Sequence, residues 1–115
     1  MDFGLRIDWS DDTTVVSPFG EVDIDTAPRV REAGATELTR DVGLLVLDLL
    51  GVTFIDSTGL GALVALRKEA LQADVPLRLV SGRRTDAILK MSGLAEAFEV
   101  YASRAAAMGH VDDIA

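Results

Sequence analysis

Cysteine is absent from the 115-residue chain, which excludes disulfides, thiolate metal sites and cysteine nucleophiles together. Histidine occurs once, as His110 near the C-terminus, with no recognisable partner in sequence. Aromatic residues make up only 5% of the chain, and it has three prolines. No Pro/Gly/Ser-rich stretch divides it and no segment repeats, so residues 1–115 are read as one domain. Basic residues are scarce: eleven Lys and Arg face nineteen Asp and Glu, a net charge of −8. Such a surface repels phosphate backbones and anionic headgroups, so neither nucleic acid nor a membrane surface is an expected partner. A basic protein partner is easier to accommodate. The longest apolar run, Gly43 to Ile55, is interrupted by Asp48 and is too short to cross a bilayer. No basic segment and apolar run open the chain, so the expectation is a soluble cytoplasmic protein without a secretory signal.

What is present is apolar residue, at 49% of the chain, enough for a core without metal or disulfide staples. Phe3, Leu5, Ile7 and Trp9 alternate with Gly4, Arg6 and Asp8, the pattern of a half-buried strand. Ser10-Asp11-Asp12 is turn chemistry, and Thr13 to Phe19 resumes strand composition, which predicts an antiparallel hairpin. Pro18 cannot donate to a ladder and is expected at an edge or bulge. Asp25-Thr26-Ala27-Pro28 reads as a helix start, with Asp25 or Thr26 as cap and Val30, Ala33 and Leu38 on the apolar face. Leu44 to Leu50 predicts a central strand, Leu60 to Leu71 a helix, and Leu77 to Val80 a strand. A short helix over Thr85–Met91, a strand over Phe98–Tyr101 and a terminal helix over Ser103–Met108 complete the pattern. Strands alternating with helices predict an α/β fold, with a mixed sheet of four to five strands and helices mainly on one face. The crossover from Leu44–Leu49 to Leu77–Val80 is expected to be parallel. Trp9 is read as core or sheet-edge packing, Met91 and Leu94 as core or rim packing, and Asp112-Asp113 and His110 as a solvated tail.

The stretch Val52 to Gly61 carries the chemistry. A strand ends, Asp56, Ser57 and Thr58 offer three candidate helix caps, and Gly59 and Gly61 keep bulk away from the helix start. A helix N-terminus presents free amides and about half a positive charge, so an anion on Ser57 suits the fold.

Asp56-Ser57-Thr58-Gly59-Leu60-Gly61 resembles the Asp-Ser-(Ser/Thr)-Gly-Leu motif of STAS domains, specifically bacterial anti-sigma factor antagonists. Gly20-Glu21-Val22-Asp23 with Thr26-Ala27, Leu77 to Ser81, and Met91-Ser92-Gly93-Leu94 match further segments of that family in the same order. The resemblance implies a STAS-like fold and a phosphoacceptor at Ser57, the hydroxyl residue after the motif Asp. It implies partner contacts at Asp23, Thr26, Asp56, Thr58, Gly59, Leu60 and Gly61. The implied partners are an anti-sigma factor, often itself a serine kinase, and a phosphatase that restores the unmodified form. Unphosphorylated, such a protein binds the anti-sigma factor and frees the sigma factor; phosphorylation ends that binding. STAS domains also serve as assembly parts of transporters, phospholipid-trafficking complexes and stress-signalling scaffolds, and this role is the alternative.

Plainer readings stand beside these. Ser57 is also a good helix cap, Thr58 reads as first-turn helix, and Asp23 and Asp25 as a cap plus a solvated charge instead of a metal site. No metal or cofactor is expected. An enzyme is not expected either. Ile55 stands where a Gly-x-Ser-x-Gly elbow needs glycine, and no Gly-x-x-x-x-Gly-Lys loop is present.

Overall fold

The computed structural model describes residues 2–109. Six strands form one mixed sheet: β1 (Gly4–Ser10), β2 (Thr13–Val22), β3 (Leu44–Asp48), β4 (Val52–Ile55), β5 (Leu77–Val80) and β6 (Glu99–Tyr101). The helices are α1 (Ala27–Leu38), α2 (Ser57–Gln72), α3 (Arg83–Met91) and α4 (Arg104–Ala107), with a 3-10 turn at Leu94–Glu96. The α/β class, the antiparallel β1–β2 hairpin and the parallel β3–β5 pairing match the sequence expectations.

The sheet has one strand more than the five legible in the pattern. The apolar run from Leu44 breaks where Val52 N turns back to Leu49 O (3.0 Å), and the chain resumes as β4. Strand β2 is long enough to serve both pieces. Its residues Thr13–Val16 pair with β3 and Gly20–Val22 pair with β4, with a register shift between Gly20 and Glu21. Pro18 lies in the gap between the two partners and is buried, not at an outer edge, since Leu5 of β1 pairs with it on the other side. Gly20 N donates to Gly51 O at 3.0 Å on the β4 side. Alternate residues of a strand share a side, so the Pro18 nitrogen faces the stretch where no partner waits for a donor.

One face of the sheet carries the main core. Val16, Val22, Leu45, Leu47, Leu77 and Leu79 meet Val30 of α1, Leu63 and Leu66 of α2 and Leu89 of α3. The other face is covered in part by α4, where Ala107 closes over Val15, Val46 and Val80. Helices therefore sit mainly, but not wholly, on one side.

Several local expectations are corrected. Neither Asp25 nor Thr26 caps α1 with its side chain. Asp23 holds the turn instead, its Oδ1 accepting from Asp25 N (3.0 Å) and Thr26 N (3.2 Å), an Asx-type turn. Met91 is 88% exposed, so it is no packing residue, whereas Leu94 does pack against the core. Trp9 is also largely exposed, but its Nε1 donates to Glu37 Oε1 at 2.7 Å. Glu37 is buried and also accepts from Thr14 Oγ1 (3.3 Å), with Arg40 Nε at 3.3 Å. His110 and Asp112-Asp113 lie outside the described residues.

Arg104 fastens α4 to three strands. Its Nε donates to Asp48 Oδ2 (2.6 Å), its Nη1 to Asp8 Oδ2 (3.2 Å) and its Nη2 to Ser17 Oγ (2.6 Å). The hydrogen bond to Asp48 raises the guanidinium above its ordinary pKa, against a smaller opposing effect of burial. It therefore stays charged throughout the range in which the protein is handled. Asp48 is buried and its other oxygen accepts from Leu50 N (3.0 Å). Arg104→Leu leaves that carboxylate short of a partner, and an expected loss of about 2 kcal/mol follows from the unsatisfied buried group. Denaturant midpoints of Arg104→Leu and of Arg104→Leu/Asp48→Asn check this, the second substitution recovering part of the loss.

Candidate functional site

The pairing of β2 with β4 brings two separate sequence segments together. Asp56 N donates to Val22 O at 3.2 Å, which sets the end of β4 beside the start of the β2–α1 loop. In that loop Thr26 Oγ1 donates to Glu21 O (2.7 Å) and accepts from Asp23 N (2.9 Å). Asp23 and Thr26 thus lock each other and the loop between them. Both are half-buried and act as scaffold for the exposed Ile24 and Asp25.

Helix α2 begins on the opposite side of this junction. Asp56, with extended backbone, is the N-cap: its Oδ1 accepts from Gly59 N (3.0 Å), and its carbonyl accepts from Leu60 N (2.9 Å). A carboxylate here also meets the positive end of the helix dipole. Ser57 is the first helical residue. Its side chain is exposed and makes no hydrogen bond among the described residues. Of the three candidate caps, Asp56 takes the task and Ser57 is released from it. Thr58 is exposed as well, and Leu60 is half-buried against the core.

The two motif glycines have different reasons to be there. A Cβ on Gly59 would stand 2.5 Å from Ile55 Cγ1 and 2.8 Å from Val22 O. Only glycine lets α2 approach the ends of β2 and β4 this closely. A Cβ on Gly61 would meet nothing within 4 Å. Gly61 instead opens onto a cleft of about 480 Å³ between α1 and α2, lined also by Ala27, Pro28, Thr58, Ala62 and Ala65. Arg31 Nη2 and Glu69 Oε1 form an ion pair (2.7 Å) across this cleft.

The arrangement presents an exposed hydroxyl on Ser57 that has no hydrogen-bond partner among the described residues. Among the described residues no group of three or more His, Asp or Glu is placed to hold a metal ion, and no helix is long and apolar enough to cross a membrane. The carboxylates of Asp23, Asp25 and Asp56 make the rim acidic. Of the residues expected at the site, Asp56, Ser57, Thr58, Gly59, Leu60 and Gly61 form one helix start, and the Asp56–Val22 bond joins the loop of Asp23 and Thr26 to it. The α1–α2 cleft has no signal in the sequence beyond small residues at scattered positions.

The glycines give opposite expectations. Gly59→Ala forces backbone against side chain and is expected to cost about 2–3 kcal/mol. Gly61→Ala is expected to be neutral or to gain up to about 1 kcal/mol from helix propensity. Urea or guanidinium midpoints of the two variants measure the difference. Asp56→Ala, by loss of the cap, is expected to cost about 1 kcal/mol in the same assay.

Known proteins share both sequence and architecture with this chain. The family model for the STAS domain matches residues 5–107. An anti-sigma-B factor antagonist of Listeria monocytogenes is 34% identical over 82 residues, 70% of this chain and 72% of that protein. The crystal structure of an anti-sigma factor antagonist from Mycobacterium paratuberculosis superposes with a TM-score of 0.81 at 27% identity, covering 96% of this chain and 95% of that one. The antagonist SpoIIAA in its unphosphorylated form shares the fold with a TM-score of 0.77 at 21% identity, over 97% of this chain and 99% of that chain. Its phosphorylated form does so at 0.70 and 20% identity, over 94% and 99%. With residues 5–107 matched, the chain belongs to the STAS domain family, among the anti-sigma factor antagonists.

Proposed function

We propose that this protein works by binding an anti-sigma factor of the serine-kinase type, and that the Ser57 hydroxyl gates the contact. One observation carries the reading: Ser57 Oγ is exposed and free of hydrogen bonds because Asp56 supplies the cap. Unmodified, the acidic rim and the α2 start meet the partner, which lets go of its sigma factor. Asp23, Thr26, Asp56, Thr58, Gly59, Leu60 and Gly61 form or support that surface. The partner, holding ATP, then transfers a phosphoryl group. Ser57 Oγ bonds to the γ-phosphorus, the bond to the bridging oxygen breaks, ADP leaves, and the serine proton passes to a base on the kinase. A phosphatase reverses the state by hydrolysis. The chain is the substrate in this scheme, not the catalyst, and the scheme places it in the cytoplasm with its kinase and ATP.

The size of the effect is adequate. Phosphoserine adds about −1.5 to −2 charges to a rim already bearing Asp23, Asp25 and Asp56. A loss of about 3 kcal/mol weakens binding about a hundredfold. Steric bulk plus like-charge repulsion in a desolvated contact reaches that without refolding.

Incubation with candidate kinase-type anti-sigma factors and ATP, followed by mass spectrometry, tests the site. Label is expected on Ser57 alone, with Ser57→Ala unlabelled and still bound to the partner. Label on another residue that persists in Ser57→Ala overturns the assignment.

A further inference from the structure

Basic side chains are few in this protein and most are engaged. Arg6 pairs with Asp8, Arg31 with Glu69, Arg40 with Glu37, Arg78 with Glu99, and Arg104 with Asp8 and Asp48. Arg29 lies over the Phe3 ring and Arg67 donates to the Ala97 carbonyl. Helix α3 is different. Arg83, Arg84 and Lys90 are exposed and make no ion pair, side-chain hydrogen bond or ring contact among the described residues. Among the other cations only Lys68 shares that condition.

The three cations share one face. Positions 83, 84, 87, 90 and 91 follow helical spacing, and all five residues are exposed. Thr85 and Leu89 are buried on the opposite side and fix the orientation of the helix. The stripe ends at Met91, 88% exposed, a flexible and polarizable side chain suited to adaptable contacts.

Lys90 stands in the last turn of α3, where the helix dipole favours a cation, but the fold does not benefit from the two arginine charges. Arg83 and Arg84 are the first two residues of α3, where the positive end of the helix dipole disfavours each cation by about 0.3–1 kcal/mol. Asp86 is the one acid in that turn. Two cations set against the dipole with a single acid in that turn point to a group outside the chain. We propose that this face of α3 docks an acidic segment of a protein partner, its carboxylates meeting Arg83, Arg84 and Lys90 and an apolar side chain resting on Met91. Arginine forks take carboxylates in bidentate fashion. A nucleic acid is disfavoured because three cations stand against a net charge of −8. The proposal is independent of Ser57 chemistry. Helix α3 packs against β4, so a partner seated at the α2 start has this basic stripe within the same structural unit.

The test is a titration of the full-length ¹⁵N-labelled protein with a glutamate-rich peptide containing leucine, at low ionic strength. Amide shifts concentrated on residues 83–91 are expected. In Arg83→Glu/Arg84→Glu the affinity is expected to fall about tenfold or more, as for loss of close charge pairs. The Tm of that variant is expected to hold or rise, since the conflict with the dipole is gone. Shifts that are absent or scattered, or equal affinity in the double variant, overturn the proposal. A lowered Tm overturns it too, because the arginines then serve the fold. Tighter binding of oligothymidylate to the same residues replaces it with a nucleic-acid surface. Self-association in sedimentation that the double variant abolishes replaces it with a second copy of the chain.

Discussion

The bond from Gly59 N to Asp56 Oδ1 organises the functional end of this molecule. A helix start leaves amides that need acceptors, and the residue that satisfies them is no longer available for other work. Here the carboxylate takes that task and the neighbouring hydroxyl is left exposed. The division of labour depends on Gly59, whose missing side chain lets α2 press against Ile55 and Val22. It depends equally on β2 exchanging β3 for β4 as its partner, because β4 delivers Asp56 to that spot.

Much of this was legible in the residues. Alternation in β1, turn chemistry before β2 and helical spacing after Ser57 all express local preferences that the tertiary structure reinforces. The split of β3 from β4 was not legible. Leu49, Leu50 and Gly51 sit within a run whose apolar composition fits one continuous strand, and the break shows only in the Leu49–Val52 turn and the pairing with β2. The missing donor of Pro18 predicts an edge or a bulge, for a sound reason. The structure supplies another solution, a gap between successive partners of the same strand.

The loop before α1 shows why caps are hard to place from sequence. Asp23, Asp25 and Thr26 are all suitable acceptors, and the choice among them falls to the backbone path between Glu21 and Ala27. Glu37 carries no signal of its own in the sequence: Trp9 and Thr14 reach it from β1 and β2 and hold it inside. Met91 errs in the opposite direction, apolar by type and exposed in fact. At the site itself, the residue types around Ser57 were legible because a helix start makes specific demands. The α1–α2 cleft was not, since it arises from the packing of two helices whose alanines carry no pattern of their own.

The anchoring of Trp9 has a practical side. The only tryptophan in the chain is bound to Glu37 in the last turn of α1, while Ser57 lies near that helix's beginning. Twelve residues of α-helix separate the two ends by about 18 Å. Intrinsic emission from the indole therefore reports on melting of the hairpin and the far end of α1. Spectroscopists following events at the Ser57 end will need an added fluorophore there.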